Sequence, residues 1–260
     1  MQSGEEYDEA MVAALELVWG EGFLSPGGPA EVEELLKGIV IAGKKVLDIG
    51  CGIGGIDLLL ADTYGAQQVL GIDIGAPNIA LAKARAARRG LADRVRYETV
   101  DGGTLPVADA SFDIVFSKDA MIHITDKEAL FRDVYRVLRP GGVFVASDWL
   151  RVDDGPPSIA MQNYIALEGL SFAMASPDRY RRAMMAAGFT DIEIRDRNAW
   201  YAATARAELA QIAGPLHNRL VAIVGADETY RQTQVWEAML VVLDRGELRP
   251  THLKAKRPAD

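Results

Sequence analysis

The 260 residues carry 49% hydrophobic and 25% charged side chains, a balance that supports one globular domain with a sizeable core and excludes a disordered chain. A formal net charge of -9 speaks against nucleic-acid binding; no run of about 18 apolar residues marks a membrane span, and the acids in "MQSGEEYDEAMVAALELVW" predict a cytoplasmic protein without a secretory leader. Cys51 is the only cysteine and His123, His217 and His252 are scattered, so neither a disulfide nor a metal site is expected.

Residues 5–40 predict helices around the turn "GEGFLSPGGP". A strand, "KKVLDI", follows, then a glycine-rich turn and the helix "GGIDLLLADTYG", the strand "AQQVLGIDI", and the helix "NIALAKARAARRG" ending at Gly90. The runs "RVRYETV" and "SFDIVFS" are strands, "KEALFRDVYRVLRP" a helix and "GGVFVASDW" a strand. This alternation predicts a doubly wound, mostly parallel α/β sheet, with ligands at the carboxyl ends of its strands. Residues 150–175 read as an insertion after the fifth strand. Beyond it come a helix with Ser176 or Asp178 near its start, the strand "TDIEIRDR", helical stretches to about Arg245, and a last strand "PTHLKAK".

Gly50, Gly52 and Gly55 in "DIGCGIGG" satisfy G-x-G-x-x-G where a strand turns into a helix, which permits close backbone approach to a ligand beside unpaired helix amides. The spacing alone also suits a nicotinamide dinucleotide. Asp48, two residues before the first glycine, would repel a pyrophosphate but can accept hydrogen bonds from an ammonium group. "VLDIGCGIGG" resembles the first motif of the Rossmann-like S-adenosylmethionine-dependent methyltransferases. That resemblance implies that Asp73 accepts the ribose hydroxyls, that Ile74, Asp101 and Gly102 lie by the adenine, and that no metal takes part.

A narrower resemblance rests on "GEGFLSPGG", "KDAMIHI", "DKEALFR", "ASDW", "NYIALEGL" and "HLKAKRP", spread between Tyr7 and Lys256. These are similar to the phosphoethanolamine N-methyltransferases of plants, nematodes and malaria parasites. The likeness implies one domain over residues 1–260: a helical lid (5–40), a cofactor core (44–149), a substrate-side insertion (150–175) and a closing half (176–260). It also implies that Tyr7 and His123 form a pair closing over cofactor and acceptor, that Asp119 contacts the acceptor amine, and that Leu24, Ser25 and Lys118 touch the cofactor. Histidine ordinarily titrates near neutrality, so His123 suits a proton acceptor for an amine that must lose a proton before it attacks.

The family's phosphate grip is not matched. Tyr164 keeps one tyrosine, but Trp149 and Leu170 replace two others; Glu168 stands where an arginine is expected and Met239 where a lysine is. A carboxylate in place of a guanidinium repels a phosphate dianion, whereas Trp149 and Tyr164 can form an aromatic wall for an alkylated cation. The reading is therefore a small-molecule methyltransferase, acting on the nitrogen of a small amine and releasing S-adenosylhomocysteine. The alternatives are a phosphate grip relocated to Arg151, Arg179 or Arg181, a thioether S-methyltransferase, a nicotinamide-dependent oxidoreductase, and a non-catalytic cofactor-binding module.

Overall fold

The structure is a computed structural model that describes residues 8–259. Its sheet is built from β1 (Lys45–Ile49), β2 (Gln68–Asp73), β3 (Val95–Thr99), β4 (Phe112–Lys118), β5 (Leu138–Arg151), β6 (Thr190–Asp196) and β7 (Leu248–Lys256), in the order β3-β2-β1-β4-β5-β7-β6. The pairs from β3 across to β5 are parallel, and β7 runs antiparallel to both β5 and β6. The expected Rossmann-like sheet with an antiparallel last strand is thus found. Strand order reverses between β1 and β4, so a crevice opens at their carboxyl ends.

Apolar helix stripes cover both faces. On one side α3 (Gly55–Asp62) and α4 (Ala76–Arg88) bury Leu60, Ile79 and Ala82 against Val46 and Val69. On the other, α5 (Lys127–Val137) and α7 (Pro177–Ala187) pack Phe131, Val134 and Tyr180 on Phe144. The start of α5 is fixed by Asp126, whose carboxylate accepts from Ala129 N–H at 2.7 Å, and that of α7 by Ser176, whose hydroxyl accepts from Arg179 N–H at 3.1 Å.

The elements outside the alternation build a third layer over the crevice. It contains α1 (Glu9–Trp19), α6 (Ile159–Glu168) within the insertion, and α8 (Asn198–Ile212), α9 (His217–Val224) and α10 (Ala226–Asp244), while α2 (Gly28–Leu36) packs Val32, Leu35 and Leu36 on the sheet face that α3 and α4 cover. A buried cluster joins α2 to the sheet: the Glu31 carboxylate contacts His252 Nε2 at 2.7 Å and accepts from Arg197 Nη2 at 2.6 Å. Burial alone would push Glu31 upward, but the bonds from His252 and Arg197 outweigh it and hold its carboxyl below the usual range.

Candidate active site

Two adjoining cavities lie at the carboxyl ends of β1, β2 and β4. The larger, about 970 Å³, runs past Gly50, Gly52, Asp73 and Ile74 to Gly102. The smaller, about 170 Å³, is roofed by α1 and walled by the insertion and α10. Leu24, Ser25, Asp119 and His123 line both.

The glycine turn is required by what approaches it. Gly50 has φ +77°, and a Cβ built there would lie 2.1 Å from the Cβ of Ala120. Gly52 has φ +52°, and its N–H donates to Asp73 Oδ2 at 2.9 Å, while Gly75 N–H donates to Asp73 Oδ1 at 2.8 Å. Asp73 therefore ends β2 with its carboxylate bridging two loops at the cavity wall. Val100 and Gly102 contribute to the same wall, but Asp101 turns its carboxylate to the Gly103 N–H at 2.9 Å.

Asp48 is placed otherwise than its position in the motif suggested. It is 2% exposed and lies beneath the glycine turn beside Asp57, which is fully buried. Neither oxygen of Asp57 receives a bond from a conventional donor; two carboxyls in contact there can pair only by keeping a proton between them. Burial raises Asp48 to about 7, with the charge of Asp73 adding to it, and burial and the Asp48 charge raise Asp57 further. An acid raised on folding holds more protons in the native than in the unfolded chain, so it subtracts stability as pH climbs from about 4 towards 7. Asp57→Asn should remove much of this loss, and its melting temperature should exceed wild type by more at pH 8 than at pH 5. An equal difference at both values would show that the pair does not share a proton.

Asp119 adopts φ +59°, a costly conformation for a side-chain-bearing residue that persists only when its surroundings hold it. Its N–H donates to the Ser147 carbonyl at 2.7 Å; its Oδ1 accepts from Ser147 Oγ at 2.9 Å and its Oδ2 from Lys118 Nζ at 2.6 Å. Lys118 Nζ also donates to Ser25 Oγ at 2.6 Å and to the Pro26 carbonyl at 3.0 Å, which fastens the N-terminal segment to β4. His123 ends a short 3-10 turn, Met121–His123. Its Nδ1 lies 3.1 Å from the Ser171 carbonyl; a carbonyl can only accept, so Nδ1 carries a hydrogen and, in the neutral ring, Nε2 is the nitrogen with the lone pair.

Trp149, Tyr164 and Glu168 all line the smaller cavity, as do Leu170 and Met239. Residues singled out across more than 90 positions of sequence thus share one chamber. Burial raises Glu168, opposed by its hydrogen bond with Tyr164 and the charge of Arg231. Arg151, Arg179 and Arg181 are bonded elsewhere, to Gly155, Glu128 and Ile192. The arginine that does line the cavity is Arg231, which the sequence reading missed, together with Trp19, Tyr201 and Trp236. Tyr7, the expected partner of His123, lies outside the described residues.

The polar wall of the larger cavity distinguishes the two cofactors that its glycine spacing allows. Asp73, Asp119, Asp126 and Asp133 face it, and Lys118, whose ammonium is already bonded to Ser25, Pro26 and Asp119, is the cation on its wall. Such a wall suits S-adenosylmethionine, which has ribose hydroxyls, an ammonium and a sulfonium, and opposes a pyrophosphate. Among the described residues no His, Cys, Asp and Glu cluster is arranged to hold a metal, and no helix is long and apolar enough to cross a membrane.

Comparison with known proteins agrees with that donor set. Residues 47–146 match the family model described as a methyltransferase domain. The chain is 36% identical over 207 residues to phosphoethanolamine N-methyltransferase 1 of Triticum aestivum, covering 79% of this chain and 40% of that protein. It is 30% identical over 220 residues to the methyltransferase GfsG of Streptomyces halstedii, covering 83% and 76%. Phosphoethanolamine N-methyltransferase 2 of Haemonchus contortus, solved in complex with phosphomonomethylethanolamine and S-adenosylhomocysteine, superposes with a TM-score of 0.89 at 27% identity, over 98% of this chain and 59% of that one. The chain spans about two fifths of the length of the plant relatives it matches.

Proposed function

Because this chain belongs to the class I S-adenosylmethionine-dependent methyltransferases and is related to the phosphoethanolamine N-methyltransferases, we propose that it methylates the nitrogen of a small amine that carries no phosphate. The observation that carries this reading is the junction of the two cavities at Asp119 and His123. When bound, S-adenosylmethionine supplies a methyl group on a sulfonium. Gly50, Gly52, Asp73, Ile74 and Gly102 would hold it, with Leu24, Ser25 and Lys118 from the other side; Asp48 and Asp101 would contribute from behind the turn and at the rim.

The chain's own work is on the acceptor. Asp119, fixed by Ser147 and Lys118, keeps lone pairs free to receive an ammonium and orient its nitrogen. In the neutral ring the Ser171 contact places the hydrogen on Nδ1, so His123 Nε2 can take the proton that must leave before the nitrogen can attack. The layer formed by α1, the insertion and α10 overhangs the junction, where His123 is exposed, so cofactor and acceptor would themselves displace water from it. Asp119→Asn should cut kcat/KM for the amine by about 10²-fold, chiefly through KM, because the carboxylate that accepts from the ammonium becomes an amide and Lys118 loses its counter-charge. A loss confined to cofactor affinity would remove Asp119 from the acceptor side.

The test of function is S-adenosylhomocysteine release with mass detection of products, comparing phosphoethanolamine with ethanolamine, then glycine, sarcosine, simple diamines and small thioethers. Turnover of unphosphorylated amines alone supports the proposal. Arg231 on the cavity wall favours one second reading, a relocated phosphate grip; turnover of phosphoethanolamine that is lost in Arg231→Met would establish that reading instead. Turnover of thioethers only would move the acceptor atom to sulfur.

A further inference from the structure

Four rings from four elements meet in the smaller cavity: Trp19 of α1, Trp149 of β5, Tyr201 of α8 and Trp236 of α10. Trp19 and Trp236 lie 5.8 Å apart between centroids, and Trp149 and Tyr201 stand edge to face at 4.7 Å. Behind them sits one carboxylate. Glu208, 9% exposed, accepts from Trp19 Nε1 at 2.8 Å, from Trp236 Nε1 at 3.1 Å and from the Tyr201 hydroxyl at 3.4 Å.

All three donors are neutral. Burial raises Glu208 and its three aromatic donors oppose the rise, with a smaller contribution from the charge of Lys118. Hydrogen bonds from two indoles and a phenol satisfy the oxygens without cancelling the charge. They also polarise the rings, because an N–H or O–H given to a carboxylate enriches the π-face that a cation would meet.

The other charges at the cavity mostly cancel. Lys118 is bonded to Asp119. Arg231 is gripped by Glu228 through Nε at 2.8 Å and Nη2 at 2.6 Å, and its Nη1 donates to the Leu167 carbonyl at 2.7 Å. Among the described residues, Glu168 and Glu208 are left as the acids without a bonded cation, at a chamber with several aromatic walls. Ionised carboxylates kept from water and from counter-charge are costly, so an entering cation is favoured twice, by the rings and by the relief it gives the acids.

We propose that the smaller cavity is a cation-binding aromatic box in which Glu208, acting through Trp19, Tyr201 and Trp236, selects a small alkylated ammonium and rejects an anionic head group. This deepens the reading of an amine acceptor by naming the charge and the substitution that the pocket recognises. Glu208 is a positioning and specificity residue, since its own carboxylate lies behind the rings.

The probe is tetramethylammonium chloride, whose nitrogen has no lone pair and accepts no methyl group, titrated into the full chain saturated with S-adenosylhomocysteine at constant ionic strength. Trp19, Trp149 and Trp236 line the cavity, so tryptophan fluorescence reports its occupation. We expect saturable binding, tighter by on the order of tenfold than that of tert-butanol, its neutral counterpart, and no competition from inorganic phosphate. Glu208→Gln and, separately, Glu168→Gln should each weaken the cation on the order of tenfold and leave tert-butanol unchanged. Should Glu208→Gln not fold, Glu168→Gln carries the test. Equal binding of cation and neutral probe, displacement by phosphate, or unchanged affinity in a folded variant overturns the box. Methyl transfer is scored separately: cation binding with no transfer to any amine leaves the box standing and defeats the proposed reaction, while amine methylation without tetramethylammonium binding does the reverse.

Discussion

His123→Ala is expected to lower turnover by about 10²–10⁴-fold, the usual range for a lost general base, while affinity for S-adenosylhomocysteine stays near wild type. Two features make the effect fall on the chemical step. The ring belongs to both cavities, so it stands where acceptor and cofactor must meet. Its tautomer is set by the Ser171 carbonyl, which leaves Nε2 ready to take a proton without first losing one. The ring is also wedged beside Phe172, with centroids 5.7 Å apart, so it is oriented before the acceptor arrives. Small changes in cofactor affinity are expected because the larger cavity keeps Asp73, the glycine turn, Ile74 and Gly102 in its wall when the His123 ring is removed. Tyr7→Phe should act in the same direction if the closing pair implied by the family resemblance is present. Full activity in both variants would remove the pair from the mechanism; a collapse in cofactor affinity equal to the loss of rate would recast His123 as a binding residue.

The parts legible in the sequence are those set by short-range pattern. The β1-turn-α3 unit announces itself because strand period, glycine spacing and helix start fall within a few residues, and the turn's conformations are ones that few other residues adopt. Asp48 was misjudged in orientation for a related reason. All of β1 from Val46 to Ile49 is buried on both faces, so no alternation of polar and apolar residues says which way the carboxylate points. Ser147 was overlooked because its role exists only through register: Lys118 pairs with Ser147 across β4 and β5, which places the hydroxyl beside Asp119.

The C-terminal helices illustrate a different limit. Gln232, Val235, Trp236 and Met239 recur along α10 at helical spacing, the pattern of a stripe buried in a core. Whether such a stripe meets other side chains or a cavity depends on how α10 docks against α6 and α8, which local pattern does not carry. Arg231 and Glu228 likewise form a pair three residues apart on a helix, as ordinary surface pairs do; only the folded chain brings Arg231 to the wall of the smaller cavity. The aromatic residues bonded to Glu208 come from positions 19, 201 and 236, so their convergence is tertiary.

Lys127→Met is expected to destabilise the fold by about 1–3 kcal/mol, the range for leaving a buried hydrogen-bonding group unsatisfied. Lys127 is fully buried, and its Nζ donates to the carbonyls of Met121 and Ile124, the latter at 2.7 Å, while lying 5.3 Å over the Tyr180 ring. Asp148, also fully buried, accepts from the Ile122 N–H at 3.0 Å and from the Tyr180 hydroxyl. Two buried charges thus hold the backbone on both sides of the turn that carries His123. Burial lowers Lys127 to about 8, opposed by Asp148, and burial raises Asp148 to about 7, opposed by Lys127. Both are therefore mostly charged only in the narrow window between, where each offsets the other's desolvation. Met fills similar volume but leaves the Ile124 carbonyl without its donor, while the Met121 carbonyl keeps the Ile124 N–H at 2.9 Å, and it removes the positive charge nearest Asp148. Urea unfolding near pH 7.5 measures the loss, and Lys127→Met combined with Asp148→Asn should cost less than the sum of the single changes, because the second substitution removes the charge that the first stranded. Strict additivity would mean that the two groups stabilise the turn independently. An unchanged midpoint for Lys127→Met would mean that the turn carrying His123 is held by its apolar packing alone.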